Sequence, residues 1–340
     1  MSQSETTGAA SPCTPAAHAE AALPFIVRAD ALRDTAQSLR EMLLAPIIPR
    51  SSLTLLYGPR GVGKTFLALS MALAVAGGGT VFDWRAKRPA RVLYVDGEMP
   101  RSALLDRLAR LAAGAGTMPA GDNFRLLASE GDGLQRPDLG TEEGRSRIEQ
   151  ALSQGVDLLV LDSLSMLVRN SRADAGRAWV QVENWLLALR RRGLAVLAVR
   201  NGAVGGHRPE TTQHADVVDT AIVLRRPVDY EAFEGARFDL SFGKGRALLG
   251  TAAQPFEAAL FRHDRGLQWC VSTRDDARSI RATGLFLEGY SVREVASRLG
   301  VSKSEAQRLR SEAMEQLEKD LPPADRIGTV LGRFRDTDES

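Results

Sequence analysis

At 340 residues the chain is long enough for one sizeable core and a small satellite. Its 44% hydrophobic and 25% charged residues are an ordinary globular balance, and a net charge of +2 excludes a general attraction to nucleic acid or membranes, so any polyanion contact is local. Cys13 and Cys270 match no metal-ligand spacing and no disulfide framework, which points to a reducing, cytoplasmic setting.

In chain order, residues 1–24 are Ala, Ser, Thr and Pro with scattered charges, without the basic start and apolar stretch of a secretory signal, and read as a disordered tail. From Pro24 to Pro49 the pattern predicts a short extended lead-in and a helix stopped by Pro46 and Pro49. Beyond it, β-rich runs alternate with helical ones: LTLLYG, FLALSMALAVAGG, RVLYVDGE, RSALLDRLARLAAG, FRLLAS. Such alternation predicts an α/β fold, a three-layer αβα arrangement around a parallel sheet. The apolar runs VDLLVLD at 156–162 and LAVLAV at 194–199 fit central strands with both faces buried. No run stays apolar long enough to span a bilayer; the best, from Phe66, ends in glycines.

After Asp219 the segments TAIVLRRP, ARFDLSFGKGRAL and PFEAALFRHDRGLQWCV predict antiparallel edge strands, with the large domain running over 25–273. A helical module follows over 274–320, and residues 321–340, with Pro322 and Pro323, read as a flexible tail.

The run from Gly58 through Pro59, Arg60, Gly61, Val62, Gly63, Lys64 and Thr65 to Phe66 satisfies GxxxxGKT, with an apolar strand before it and a helix after it. Glycines let backbone N–H groups turn toward phosphate oxygens, and the helix adds its positive end. Lys64 then neutralises the β- and γ-phosphates of ATP, and the Thr65 hydroxyl is a ligand for Mg²⁺. Such a loop needs an acidic residue at the end of a neighbouring buried strand, and Asp162 closes VDLLVLD; capping of the next helix by Asp162 or Ser163 is the alternative. Glu98 in RVLYVDGEMP is the candidate for orienting the attacking water, with Asp96 as its rival. Both carboxylates could instead cap the helix beyond Pro100.

Together GPRGVGKT, VLYVDGEMP, VDLLVLDSLS and FGKGRALLGTAAQPFEAAL resemble the RecA-type ATPases grouped around the hexameric RepA helicases of broad-host-range plasmids, over residues 30–270. The resemblance implies a RecA-like, ring-forming, DNA-acting ATPase in mobile-element replication or maintenance. It implies a hexamer with single-stranded DNA through the ring, and gives Glu98 the catalytic water and Asp162 the Walker B aspartate. Where that family has His-His-x-x-Lys as a γ-phosphate sensor, this chain has Arg200, Asn201, Gly202, Ala203 and Val204. Asn201 keeps a neutral donor and Val204 has none, which predicts slow hydrolysis. For contacts into a neighbouring subunit the candidates are Arg200, Arg208, Lys244 and Arg246. A nucleotide-switched DNA-binding regulator with little turnover, or an adaptor, is the alternative reading.

Residues 278–318 carry helical apolar spacing interrupted at Gly289 and Gly300, which predicts three helices whose last two form a helix-turn-helix. The module resembles the small DNA-binding units of sigma factors and resolvases. Ser302, Lys303, Ser304, Gln307, Arg308 and Arg310 are its candidate exposed contacts to duplex DNA. Nine basic and nine acidic residues over 274–320 leave it without net charge, and docking on its own core or on a partner is the alternative.

Overall fold

The computed structural model describes residues 41–128, 136–168, 175–202, 217–245, 248–263 and 266–320. The tails expected at 1–24 and 321–340, and most of the helix expected before Pro46, lie outside the described residues. The chain first forms β1 (Met42–Leu44), β2 (Ile48–Pro49), β3 (Leu53–Gly58), α1 (Lys64–Gly77), β4 (Thr80–Val81), β5 (Trp84–Arg85) and β6 (Val92–Asp96). Then come α2 (Arg101–Ala115), β7 (Phe124–Leu127), α3 (Glu142–Leu152), β8 (Leu158–Asp162), α4 (Leu164–Leu167), α5 (Ala175–Arg191) and β9 (Ala195–Asn201). Strands β10 (Thr220–Arg225), β11 (Arg237–Gly245), β12 (Phe256–His263) and β13 (Gly266–Thr273) precede α6 (Arg274–Leu287), α7 (Val292–Leu299) and α8 (Lys303–Asp320).

A nine-stranded sheet in the order β13-β12-β11-β10-β3-β9-β8-β6-β7 organises the molecule. From β10 to β7 every neighbouring pair is parallel, and from β10 to β13 every pair is antiparallel. The fold is thus α/β with a mostly parallel sheet, as the alternation predicts, and β8 and β9 lie inside its parallel part with continuous buried runs. One sheet face packs on α1 and α2, the other on α3, α4 and α5. The start of β3 is pinned to β10: the Leu53 N–H donates to Asp219 Oδ2 at 3.0 Å, and the Asp219 N–H donates back to the Leu53 carbonyl at 2.9 Å.

Helix α1 has no polar face. Every residue from Leu67 to Ala76 is buried, as in a helix surrounded by core on all sides. Part of its cover is an element the sequence misrepresents. Residues 42–49 form an antiparallel hairpin, Met42 opposite Pro49 and Leu44 opposite Ile48, rather than the end of a helix. Leu43, Leu44, Ile47 and Ile48 are all 4% exposed or less, and their spacing imitates a helical stripe. Pro46 and Pro49 lack amide donors and disfavour helical backbone in the residue before each, so extended pairing prevails.

Helices α6, α7 and α8 enclose their own small core around Ala282, Phe286, Val295, Leu299, Ala306 and Leu309. A capping box between Ser291 and Glu294 starts α7, and Gly300 in a left-handed conformation (φ 61°) ends it. Arg310 is 5% exposed, which corrects its assignment to an exposed surface: Ala306, Leu309, Arg310 and Ala313 form one buried i, i+3, i+4, i+7 stripe. Lys303, Gln307 and Arg308 are exposed. Arg308 donates to Glu305 at 2.7 Å and also pairs with Glu312, so most of its charge is neutralised on its own helix.

An ionic knot ties these helices to the sheet. Buried Arg237 on β11 donates to Glu257 Oε1 at 2.8 Å and to Asp229 Oδ1 at 3.1 Å, and pairs with Glu234. From α6, Arg281 donates to the same two carboxylates, Asp229 at 2.5 Å and Glu257 at 2.6 Å. The Arg237 and Glu257 side chains are 9% and 8% exposed, so removing either leaves the other charge buried. Arg237→Ala is expected to lower the unfolding free energy by about 3 kcal/mol or more. Arg110→Ala, which breaks the exposed helical pair with Asp106, should change it by less than about 0.5 kcal/mol. Urea unfolding of the two variants checks the contrast; equal midpoints would contradict it.

Candidate active site

Parallel strands deliver side chains to one edge of the sheet, and the site forms where β3, β6, β8 and β9 end together. Gly58 is opposite Asn201 across β3 and β9, and Asp96 is opposite Asp162 across β6 and β8. Leaving β3, the chain turns through Gly61 (φ 74°) and Gly63 (φ 112°) into α1, a path that side-chain-bearing residues rarely take. A methyl group on Gly58 would lie 2.8 Å from the Leu224 carbonyl oxygen, and one on Gly63 would lie 3.0 Å from Ala236 Cβ. The loop is therefore held close to β10 and to the start of β11.

Lys64 is 6% exposed, and its Nζ donates to the loop's own carbonyls, Gly58 at 2.9 Å and Pro59 at 2.6 Å. Burial pushes its ammonium down to about 8, against the opposing pull of Asp162 and Glu98. Asp162 is 4% exposed; it accepts a hydrogen bond from the Tyr94 hydroxyl at 2.7 Å, and the Thr65 hydroxyl lies beside it and favours its charged form. Burial raises its carboxyl above the usual range, and those two hydroxyls resist the rise. Neither Asp162 nor Ser163 caps α4 with its side chain.

Asp96 and Glu98 separate cleanly. Asp96 is buried, and its Oδ2 accepts the Glu98 N–H at 3.0 Å and the Met99 N–H at 2.6 Å, closing the turn after β6. Burial lifts its carboxyl to about 6, with the charges of Asp162 and Glu98 adding to the rise and the two N–H donors opposing it. Glu98 is exposed and lines a cavity of about 450 Å³ together with Gly61, Lys64, Thr65, Asp162 and Asn201. That volume falls within the range of small-molecule clefts, about 300–1,000 Å³. A smaller cavity of about 230 Å³, beside Ser70, Gln268 and Trp269, is lined by no charged side chain among the described residues.

A family model of the AAA domain matches residues 17–205, from ahead of β1 to just past β9. The chain belongs to the AAA domain family. No curated protein matches the sequence. Membership makes the region a P-loop ATPase domain, which binds ATP, typically with Mg²⁺. The residues present fit both groups. Two polar atoms on the cavity wall, Ser163 Oγ and Asn201 Nδ2, are buried without a hydrogen-bond partner among the described residues, as donors facing a polar ligand would be. Mg²⁺ is usually held by one or two protein oxygens plus substrate phosphates, and Thr65 with Asp162 is such a pair.

Gly58 and Pro59 form the floor of the AAA domain's loop, Arg60, Gly63 and Phe66 line the cavity, and Val62 is buried beneath. Strand β9 extends two residues beyond the run read as LAVLAV, so Arg200 and Asn201 are strand residues on opposite faces. Asn201 reaches the cavity beside the loop. Arg200 turns to the other face, where its guanidinium stacks 4.7 Å from the centre of the Trp179 ring, and it does not line this cavity. Lys244 is half-buried near the end of β11, opposite Ala221 on β10. Val204, Arg208, Pro209 and Arg246 lie outside the described residues. Among the described residues no helix is long and apolar enough to cross a membrane.

Sequence reasoning missed one wall of the cavity. Tyr230, Ala232, Gly235 and Ala236, between β10 and β11, face the AAA domain's loop, and Arg107 of α2 completes the lining. Arg226 stacks on Tyr230 at 4.5 Å and Arg107 on Phe66 at 4.5 Å, which puts aromatic rings and cations at the rim. The Arg-Arg-Pro-Val-Asp-Tyr run after β10 carried that signal, but only the sheet order brings it to a loop so distant in sequence.

The depressed Lys64 pKa sets a pH dependence. Triphosphate binding needs the ammonium charged, while the free protein loses that proton above about pH 8, so binding takes up a proton there. ATP affinity is expected to fall as pH rises past about 8, by up to about tenfold per unit. Lys64→Ala should weaken binding at pH 7 by at least about tenfold and flatten the profile. Fluorescent-nucleotide titrations from pH 7 to pH 9.5 measure both; a flat wild-type profile would contradict the assignment.

Proposed function

We propose that this AAA-domain protein hydrolyses Mg²⁺-bound ATP slowly and couples its nucleotide state to DNA. The observation that carries the hydrolytic part is the division of labour after β6, where buried Asp96 closes the turn and Glu98 is left exposed on the cavity wall. Its carboxylate is free of that backbone duty and suits the orientation of a water for attack on the γ-phosphorus. Water adds, the bond to the β–γ bridging oxygen breaks, and ADP leaves with phosphate. Lys64 neutralises the oxygens between which charge moves, and Asn201 Nδ2 donates to the terminal phosphoryl. When bound, Mg²⁺ would offset the charge of the phosphates, and Thr65 and Asp162 are the residues that would hold it. A neutral amide in place of a cation lowers the barrier less, so turnover is slow.

The DNA part rests on the resemblance to RepA-type motors, which also supplies the ring, a hexamer, and the passage of single-stranded DNA through it. Exposed Lys303 and Gln307 at the start of α8 support duplex contact. The second reading, a nucleotide-switched DNA-binding regulator with little turnover, is favoured by one observation: Arg281 anchors α6 to Asp229, adjacent to the Tyr230 that lines the cavity.

Steady-state ATP turnover with and without single-stranded DNA separates them. The proposal expects a low basal rate that single-stranded DNA raises. Glu98→Gln should keep ATP affinity while turnover falls by about two orders of magnitude. A rate indifferent to single-stranded DNA, with duplex binding retained, would favour the regulator. Equal loss of affinity and turnover in Glu98→Gln would remove Glu98 from the chemistry.

A further inference from the structure

The residue that fixes the Asp162 carboxylate is Tyr94, which no part of the loop motif includes. Tyr94 is 0% exposed in the middle of β6, two residues before Asp96 and so on the same sheet face. Asp162 is opposite Asp96 on β8, so the Tyr94 hydroxyl reaches diagonally between strands to its Oδ2 at 2.7 Å. That is an ordinary O–H···O length, and the charged acceptor makes the bond one of the stronger kind. Asp162 is held by its main chain as well, because its carbonyl accepts the Gly97 N–H at 2.7 Å. With one carboxylate oxygen occupied by Tyr94, the side chain keeps one orientation toward the Thr65 hydroxyl and the cavity.

A buried tyrosine hydroxyl needs some partner, and packing alone would be served by any nearby carbonyl. Here the partner is the single acidic side chain of the phosphate loop's metal pair. The ring has its own, separate packing: it stacks on Phe124 with centroids 6.2 Å apart. We propose that Tyr94 is a positioning residue for the metal, its hydroxyl orienting Asp162 so that carboxylate and Thr65 hydroxyl face a divalent cation together. The proposal rests on the reading of Thr65 and Asp162 as the Mg²⁺ pair.

The test is the Mg²⁺ concentration that half-saturates tight binding of a fluorescent ADP analogue to the full chain. Tyr94→Phe deletes one oxygen and keeps the ring, and it should raise that concentration by about tenfold or more, the usual effect of losing a partner behind a metal ligand. Phe124→Leu disturbs the ring stack and keeps the hydroxyl, and it should leave the concentration within about twofold of wild type. Asp162→Asn is the third arm and should raise it at least as far as Tyr94→Phe. If Asp162→Asn and Tyr94→Phe both leave it unchanged, Asp162 does not hold the metal and the reading of the pair falls with the proposal. If Asp162→Asn raises it and Tyr94→Phe does not, only the role of Tyr94 is overturned. Equal effects of Tyr94→Phe and Phe124→Leu would assign the tyrosine to packing, and failure of Tyr94→Phe to fold would make its hydroxyl a structural support of buried Asp162; either overturns the proposal.

Discussion

Lys64 occupies the first position of α1, a helix without a polar face, and its ammonium is therefore held at 6% exposure under the loop carbonyls, in the field of Asp162 and Glu98. A cation buried in this way is unfavourable by itself, and the fold keeps it there through the burial of α1 from Leu67 to Ala76. The depressed ammonium and the raised Asp162 carboxyl are two signs of the same electrostatic tension. A polyanion bearing a divalent cation would relieve both, with phosphate oxygens against the lysine and the metal against the aspartate, as proposed above. Sheet order, glycine turn and strand register all serve to place those two opposite charges at one edge.

Much of this could be read from the residues in advance, because the relevant signals are local. The GxxxxGKT spacing between an apolar strand and a helix defines β3, the loop and α1, and the continuous apolar runs define β8 and β9. The change of texture after Asp219 marks the antiparallel strands. The helix breaks at Gly289 and Gly300 delimit α6, α7 and α8. What escaped is set by packing partners far away in sequence. The hairpin over 42–49 hides behind a helical spacing of leucines and isoleucines, although Pro46 and Pro49 disfavour helix there and its apolar residues join the core around α1. Arg310 belongs to a polar-looking helix whose buried stripe is visible once α6 and α7 are in place. Asp96 and Glu98 are alike as letters and differ only in which one meets the backbone N–H groups.

The β10–β11 connection deserves comparison with the loop, since it was invisible to motif reasoning and shapes the site as much. Within it Tyr230 and Gly235 line the cavity beside the loop, while Asp229 and Glu234 hold Arg237. Arg281 of α6 shares Asp229 with Arg237, so one short segment carries both a cavity wall and the anchor of the C-terminal helices. Desolvation offsets much of the Coulomb gain of salt bridges among buried groups, so their net contribution to stability is small while the loss of one partner is costly. The knot is thus best understood as fixing where the wall stands, with two arginines and three carboxylates locked against each other.

The most direct measurement is an experimental structure of the full chain with a non-hydrolysable ATP analogue and Mg²⁺. The triphosphate is expected along Gly61 to Thr65, with Lys64 Nζ moved from the Gly58 and Pro59 carbonyls onto the β- and γ-phosphates. The metal is expected beside Thr65 and Asp162, with Glu98 and Asn201 facing the terminal phosphoryl. A nucleotide bound elsewhere, such as the cavity beside Trp269, or a Lys64 still bonded to its two carbonyls with nucleotide present, would contradict this arrangement.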